Sequence, residues 1–341
     1  MDQSDDASGS HHKLRVGIAC NIKTEHASDA QAEFDEPETI AGIRQALLSG
    51  GFDSFTLEAT TGFPEKLETE KPDIVFNIAE GVSGRSREAQ VPAILDYYGI
   101  PYVGSDAAAL AIALDKALTK RIVRDAGIST PPFALIRKEE VQVPEDLIYP
   151  VLVKPNAEGS SKGISDISVA ADKAALQNLV ARDMQSYQED LLAESYIDGR
   201  EFTVGLLGNG ADVHVFEPME VIYRKLRGAY RIYSYEVKRN YRDYISYACP
   251  PNIPEELNRE MKQAAAEVFQ VLGCRDFARM DFRLSKENKL YFIEANPLPG
   301  LAPGYSDYPM LAGFNGVSYN EIVCDVLRQA LLRCGMKADI L

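Results

Sequence analysis

The chain of 341 residues is predicted to be an α/β and α+β protein of more than one domain, with a parallel-sheet unit at residues 14–110 followed by α+β material to residue 335. Three observations carry this expectation. The length exceeds the size at which a single hydrophobic core keeps growing. In the first third, short apolar strands alternate with helical segments, the pattern of βαβ units and a parallel sheet. After Thr130-Pro131-Pro132 the strands are grouped around polar segments and the strict alternation with helices is lost.

In order, Leu14–Cys20 is a short, mostly apolar strand, and Glu38–Ser49 has helical periodicity that stops at Gly50-Gly51. Ser54–Leu57 and Asp73–Ile78 read as strands, Arg87–Tyr98 as a helix, Tyr102-Val103-Gly104 as a strand end, and Ala107–Ala126 as one helix or two. Beyond the prolines, Phe133–Ile136, Val151–Lys154 and Ile164–Val169 are strands, Ala171–Asp183 is helical, and Leu191–Tyr196 and Glu201–Leu207 are strands again. The remainder combines strands at Val213–Val221, Cys274–Leu284 and Leu290–Ala295 with helices at Pro254–Leu272 and Ser318–Leu332. Residues 1–13 are polar and expected to form a disordered tail.

Composition narrows the function classes. A net charge of −15 leaves no basic surplus for a phosphate backbone, so no nucleic-acid partner is expected. Five cysteines without a CxxC pair fit the reduced thiols of a cytoplasmic protein. Four histidines, two of them in the tail, give little material for a zinc site or a histidine triad. No apolar run reaches membrane-span length and no signal peptide precedes the first strand, so neither a membrane partner nor export is expected. GxGxxG and GxxxxGK[ST] are both missing where a parallel sheet would need them, which weakens dinucleotide-binding and P-loop readings.

The densest chemistry lies in Arg279-Met280-Asp281 and Glu294-Ala295-Asn296. These residues sit on apolar segments either side of the polar turn Ser285–Lys289, which reads as a β-hairpin. Asp281 and Glu294 near its open end, with Asn296 just beyond, offer an oxygen-only ligand set of the kind that suits Mg²⁺ bridged to nucleotide phosphates. The alternative is a hairpin whose charges face water. Glu158-Gly159-Ser160-Ser161-Lys162-Gly163 could wrap an anion with backbone N–H groups, with Lys154 adding a point charge, or could be an ordinary loop. Lys116 is a further phosphate candidate. Glu194-Ser195-Tyr196-Ile197 and Gly199-Arg200-Glu201 read as an extended edge. Its backbone would be open to adenine, with Glu194 and Glu201 placed for ribose or else facing water.

In this order and spacing, Val153–Pro155, Glu158–Ser161, Glu194, Gly199–Val204, Arg279–Asp281, Glu294–Asn296 and Pro299-Gly300, with Gly99–Ser105 and Asp115-Lys116, resemble the D-alanine–D-alanine ligase branch of the ATP-grasp superfamily. The likeness spans residues 14–335. It implies an ATP-grasp fold with an N-terminal substrate domain (14–110), a central lobe (111–205) and a C-terminal lobe (206–335), ATP lying between the lobes, and a homodimer. It also implies an ADP-forming ligase. A substrate carboxylate would attack the γ-phosphate to give an acyl phosphate, and an amine would then displace phosphate through a tetrahedral intermediate. By the same resemblance ATP would be held by Lys116, Lys154, Glu158, Ser160, Ser161, Glu194, Ser195, Ile197, Glu201 and Lys238. Mg²⁺, or Mn²⁺ in its place, would sit on Asp281, Glu294 and Asn296. Arg279, on the same strand face as Asp281, would meet the oxyanion. Ser160 would orient the acyl group, and Lys238 would contact phosphate.

The substrate-facing segments depart from the family pattern. Glu25-His26 copies a family dipeptide too early in the chain, so Glu33 or Glu36 better fits the glutamate that binds the first amino group. A family loop of the form His-Gly…Gly-Glu-Asp-Gly becomes Glu80-Gly81-Val82-Ser83-Gly84-Arg85-Ser86-Arg87. A fork from Arg85 or Arg87 would favour an extra carboxylate on the first substrate, unless these arginines pair with Glu80 or Glu88. Within the basic stretch 224–244, expected to close over ATP and exclude water, Lys238 is kept while the family's tyrosine becomes Arg239. Gly300 and Ser306 lie in a lengthened turn that would hold a substrate carboxylate. The expected substrates are therefore amino-acid-type small molecules, not both D-alanine. Alternatives are a genuine D-alanine–D-alanine ligase of cell-wall synthesis and a non-catalytic ATP-binding regulatory module.

Overall fold

A computed structural model describes residues 14–24, 33–144, 146–159, 168–225, 230–232, 237 and 240–336. The first sheet is built from β1 (Arg15–Cys20), β2 (Asp53–Glu58), β3 (Ile74–Asn77) and β4 (Tyr102–Val103), all parallel, in the order β2-β1-β3-β4. Helices α1 (Pro37–Ser49), α2 (Phe63–Glu70) and α3 (Gln90–Tyr98) make the crossovers. Because the chain leaves β1 first to one side and then to the other, a crevice opens beyond the carboxyl ends of β1 and β3. Open parallel sheets bind ligands at such a switch point.

Helices α4 (Ala107–Leu114) and α5 (Lys116–Asp125) follow, divided at Asp115, whose carboxylate accepts from the Leu118 N–H and caps α5. An antiparallel sheet comes next, from β5 (Phe133–Ile136), β6 (Val151–Pro155), β7 (Val169–Ala170) and β8 (Leu191–Ser195), ordered β5-β8-β6-β7 and covered by α6 (Lys173–Tyr187). A six-stranded sheet completes the set: β9 (Gly199–Leu207), β10 (His214–Val215), β11 (Met219–Tyr223), β12 (Ile245–Ala248), β13 (Phe277–Ser285) and β14 (Leu290–Asn296). Its main path runs β12-β11-β9-β13-β14, and α7 (Glu255–Val271) packs on one face. The final helices are α8 (Asp307–Phe314) and α9 (Tyr319–Arg333), the latter begun by a Ser318/Glu321 capping box.

The expected hairpin forms between β13 and β14. Along β13, Met280, Phe282 and Leu284 enter the core under α7, while Arg279, Asp281 and Arg283 face the opposite side. Phe282 and Phe292 are fully buried there, each contributing about 2 kcal/mol of apolar burial. The register pairs Asp281 with Glu294 and Arg279 with Asn296, then slips so that Phe282 meets Phe292. Ile293 is the extra residue of this bulge, and the slip lets Phe292 and Ala295 both face the core while Glu294 and Asn296 face the cavity.

Several expected elements differ in detail. Val213–Val221 is not one strand: it divides into β10 and β11 around Glu217-Pro218, where proline lacks the N–H a ladder needs. Arg87–Tyr98 opens with a 3₁₀ turn at Arg87–Ala89 before α3. Of the strand expected at Ile164–Val169, residues 164–167 lie outside the described residues and Val169 starts β7. The helices α2 and α8 and the strand β12 were not anticipated. The tail 1–13 also lies outside the described residues.

Candidate active site

A cavity of about 880 Å³ lies between the cavity face of the β13–β14 hairpin, the β6–β8 strands and the crevice of the parallel sheet. At its centre the Asp281 carboxylate is held from three sides. Arg279 donates from Nε (3.0 Å) and Nη2 (2.8 Å), Thr203 donates its hydroxyl (2.7 Å), and Asn296 donates Nδ2 (3.1 Å). Arg279 also lies 3.7 Å from Asp307 at the start of α8. Burial weakens its charge, but Asp281 and Asp307 outweigh that and keep the guanidinium ionised.

Glu294, directly across from Asp281, makes no hydrogen bond or ion pair among the described residues and borders the cavity. Burial opposes its ionisation, yet Lys116, Lys154 and Arg279 together hold its pKa below the ordinary carboxylate value. The Asn296 amide, with its nitrogen committed to Asp281, presents its oxygen. Two carboxylates and an amide oxygen on one hairpin face form a hard-oxygen donor set that fits Mg²⁺.

Beside this set, a small space of about 60 Å³ is bounded by Lys116, Lys154, Glu158, Gly159, Glu294 and Asn296 among others. The phosphate candidates and the metal candidates thus border a common volume. Lys116 is anchored by donating to the Glu158 carbonyl. Lys154 pairs with Glu194 at 2.7 Å.

Glu194 has a second partner that the sequence did not reveal. Lys120, on α5 and fully buried, lies 2.9 Å from its other oxygen and donates to the Ile293 carbonyl (2.8 Å) and Thr130 hydroxyl (3.1 Å). Burial disfavours the Glu194 carboxylate, but the two lysines more than reverse this and hold its pKa down to about 2. Burial pulls Lys120 down to about 8, with Glu194 opposing. Glu194 therefore links the two lysines at the cavity wall. Glu201 accepts from Arg283 (2.9 Å) and Tyr223 (2.7 Å), and the Ile197 carbonyl accepts from Arg283 (2.8 Å). Ser195 is buried, with no hydrogen-bond partner for its hydroxyl among the described residues.

The family model for the D-ala D-ala ligase C-terminus matches residues 122–328. A curated D-alanine–D-alanine ligase from Cupriavidus metallidurans is 35% identical over 295 residues, covering 85% of this chain and 86% of that protein. The chain belongs to the D-alanine–D-alanine ligase family. The solved structure of the Bacillus anthracis D-alanine–D-alanine ligase complexed with ATP matches with a TM-score of 0.74 at 21% identity, covering 94% of this chain and 98% of that one. VanG, a D-Ala:D-Ser ligase from Enterococcus faecalis, matches with a TM-score of 0.70 at 21% identity, covering 93% and 99%. The fold is therefore ATP-grasp, and membership places the chain among ATP-dependent, amide-forming ligases.

Within this family fold the substrate end differs from expectation. Arg87 does not offer a free fork. Its donors go to Glu33 and to the Ala157 carbonyl (2.8 Å), with Glu158 at 3.5 Å. Arg85 is 73% exposed and pairs with Asp115 at 2.9 Å. Neither guanidinium is among the residues that line the cavity, and neither forms a close ion pair with Glu80 or Glu88 among the described residues. Glu33 packs so closely on Gly159 that a Cβ there would meet its carboxylate at 2.3 Å, and Glu36 pairs with Lys23 at 3.1 Å. The Ser306 hydroxyl accepts from the Ala302 N–H (3.0 Å) and sits against Gly300. Ser160, Ser161, Lys238 and Arg239 lie outside the described residues. Lys120, Thr203 and Arg283 escaped the sequence argument. Arg283 was open to discovery, since it shares the period-two face of Arg279 and Asp281.

Proposed function

We propose that the chain joins the carboxyl group of one amino-acid-type substrate to the amine of a second, converting ATP to ADP and phosphate through an acyl phosphate. The observation that carries this is the convergence of Arg279, Asp281, Glu294 and Asn296 from one hairpin face with Lys116 and Lys154 around a common space. When bound on Asp281, Glu294 and Asn296, Mg²⁺ would neutralise charge on the transferring phosphoryl group. Lys116 and Lys154 hold the phosphates, their own charges fixed by the Glu158 carbonyl and by Glu194. The substrate carboxylate attacks the γ-phosphorus, and ADP leaves. The incoming amine attacks the acyl carbon, and Arg279 stabilises the oxyanion. Loss of phosphate and of the amine proton completes the amide.

Ser160 and Lys238 are proposed to orient the acyl group and to contact phosphate, as the family motif suggests. A second reading, D-alanine in both subsites, is favoured by the 35% identity to the D-alanine–D-alanine ligase of Cupriavidus metallidurans. An ADP-release screen over pairs of L- and D-amino acids, with mass detection of products, separates the two. Product from D-alanine alone supports the second reading, product only from other pairs supports altered substrates, and ATP consumption independent of any acceptor contradicts both.

A further inference from the structure

The crevice at the switch point of the parallel sheet is lined by three carboxylates, Asp35, Glu80 and Glu88, that form no ion pair among the described residues, Lys23, Arg87 and Lys116 acting on them only from a distance. The backbone following β1 is clamped to the segment preceding α1, where Lys23 N–H donates to the Asp35 carbonyl and Asp35 N–H to the Asn21 carbonyl, both at 2.9 Å. This clamp sets Asp35 over the crevice. Glu80 follows β3, and Glu88 lies in the turn leading into α3. All three line the cavity shared with Arg279. None has a side-chain hydrogen bond or an ion pair among the described residues.

The neighbouring cations have nearer partners: Arg87 has Glu33 and Glu158, Lys23 has Glu36, Arg279 has Asp281 and Asp307, Arg85 has Asp115, and Lys116 donates to the Glu158 carbonyl, while Arg231 borders the same cavity. Burial first, then repulsion from Glu33, raises the pKa of Glu88 to about 7. Burial does the same for Asp35, and burial with Glu88 and Glu33 pushes Glu80 well above its ordinary value. Half-buried carboxylates without an ion-pair partner take up either protons or a ligand's positive charge. A single metal ion does not answer the need, because no described trio of acidic, histidine or cysteine side chains is grouped to hold one. An organic cation that reaches several of these carboxylates supplies that charge. One α-ammonium satisfies one side of the crevice and leaves the remaining carboxylates without a partner.

We propose that the first-substrate subsite takes an amino acid bearing a second ammonium or guanidinium group, a diamino or basic amino acid, with Glu80, Glu88 and Asp35 receiving its positive charges. This rests on the ligase reading for its consequence in turnover, but not for its binding. An aliphatic first substrate offers these groups only its α-ammonium, and one bearing a second carboxylate is repelled.

The experiment measures two things on the whole protein with Mg²⁺ present, the first with a non-hydrolysable ATP analogue and the second with ATP. The first is the thermal shift caused by ornithine, lysine, arginine, alanine or glutamate in both chiralities. The second is kcat/KM for ADP release from the same panel with a fixed set of amine acceptors. The expected result is a shift with basic amino acids and none with glutamate, and a preference for basic over neutral substrates of about tenfold or more. Glu80→Gln and Glu88→Gln should each reduce that preference about tenfold. Both variants remove a half-buried carboxylate that its acidic neighbours repel, so folding is expected to survive. Equal or larger shifts with alanine or glutamate, or no shift with any basic amino acid, overturn the proposal. Failure of every pair to release ADP contradicts the ligase reading instead, and the binding measurement still decides this one.

Discussion

Arg279 touches both halves of the proposed chemistry, through its bidentate contact to Asp281 and its position on the cavity wall. Replacing it with alanine should lower kcat by about 10²–10³-fold, the effect of losing one oxyanion donor, with ATP affinity changed only a few-fold. Single-turnover kinetics beside nucleotide titration checks this, and an equal loss in both would contradict the role. Lys120→Met should destabilise the fold by about 3–5 kcal/mol, since Glu194 would keep a buried charge with one lysine missing. Urea unfolding at neutral pH reads that directly. Glu88 has a folded-state pKa of about 7, raised from an ordinary 4.5. Its ionisation therefore penalises folding above pH 7, and the penalty is gone below about pH 4.5. Glu88→Gln should raise Tm at pH 8 and leave it little changed at pH 4.5; a rise of equal size at both values would contradict that assignment.

At the scale of elements, the hairpin was legible because two short apolar segments flank the polar turn Ser285–Lys289, and β13 alternates apolar and polar residues from Ala278 to Ser285. The register slip at Ile293 was not, since a bulge leaves no composition signal in a single sequence. Helix α2 was missed because only Phe63 and Leu67 are buried in it, too few apolar positions to show a period. Lys120 was invisible because a lysine on a strongly amphipathic helix reads as solvated, and only the packing of α5 against β14 buries it. The acidic crevice was equally hidden: Asp35 and Glu80 are far apart in sequence and meet only because β1 and β3 are adjacent in the sheet. Gly81 deserves a test at this scale. It sits at φ +81°, and a Cβ there would lie 2.0 Å from the Arg87 carbonyl oxygen. Gly81→Ala should destabilise by about 1–3 kcal/mol. It should also raise the amino-acid KM more than the ATP KM, because the displaced turn carries the contacts of Arg87 to Glu33. A purely ATP-side defect would contradict this placement.

Over the whole molecule, the C-terminal helix returns to the beginning of the chain. Its apolar face, through Ile322, Val323, Val326 and Leu327, shares one core with Val16, Ile18 and Phe76 of the parallel sheet. Asp276, fully buried, accepts from the Gly104 N–H (2.8 Å) and from Arg333 (2.9 and 2.8 Å), fastening β4, α9 and the approach to β13 together. The crevice and the hairpin are thereby held as facing walls of one cavity, which is what a reaction joining a phosphoryl donor to two further substrates requires. Both walls are proposed to serve a single coupled reaction. Its most direct test is the ratio of ADP formed to amide formed, measured by coupled assay and mass spectrometry with each substrate omitted in turn. The expected ratio is one ADP per amide, with no sustained ADP release when either the carboxylate donor or the amine is left out. Sustained ADP release without an acceptor, or none with any pair, would contradict it.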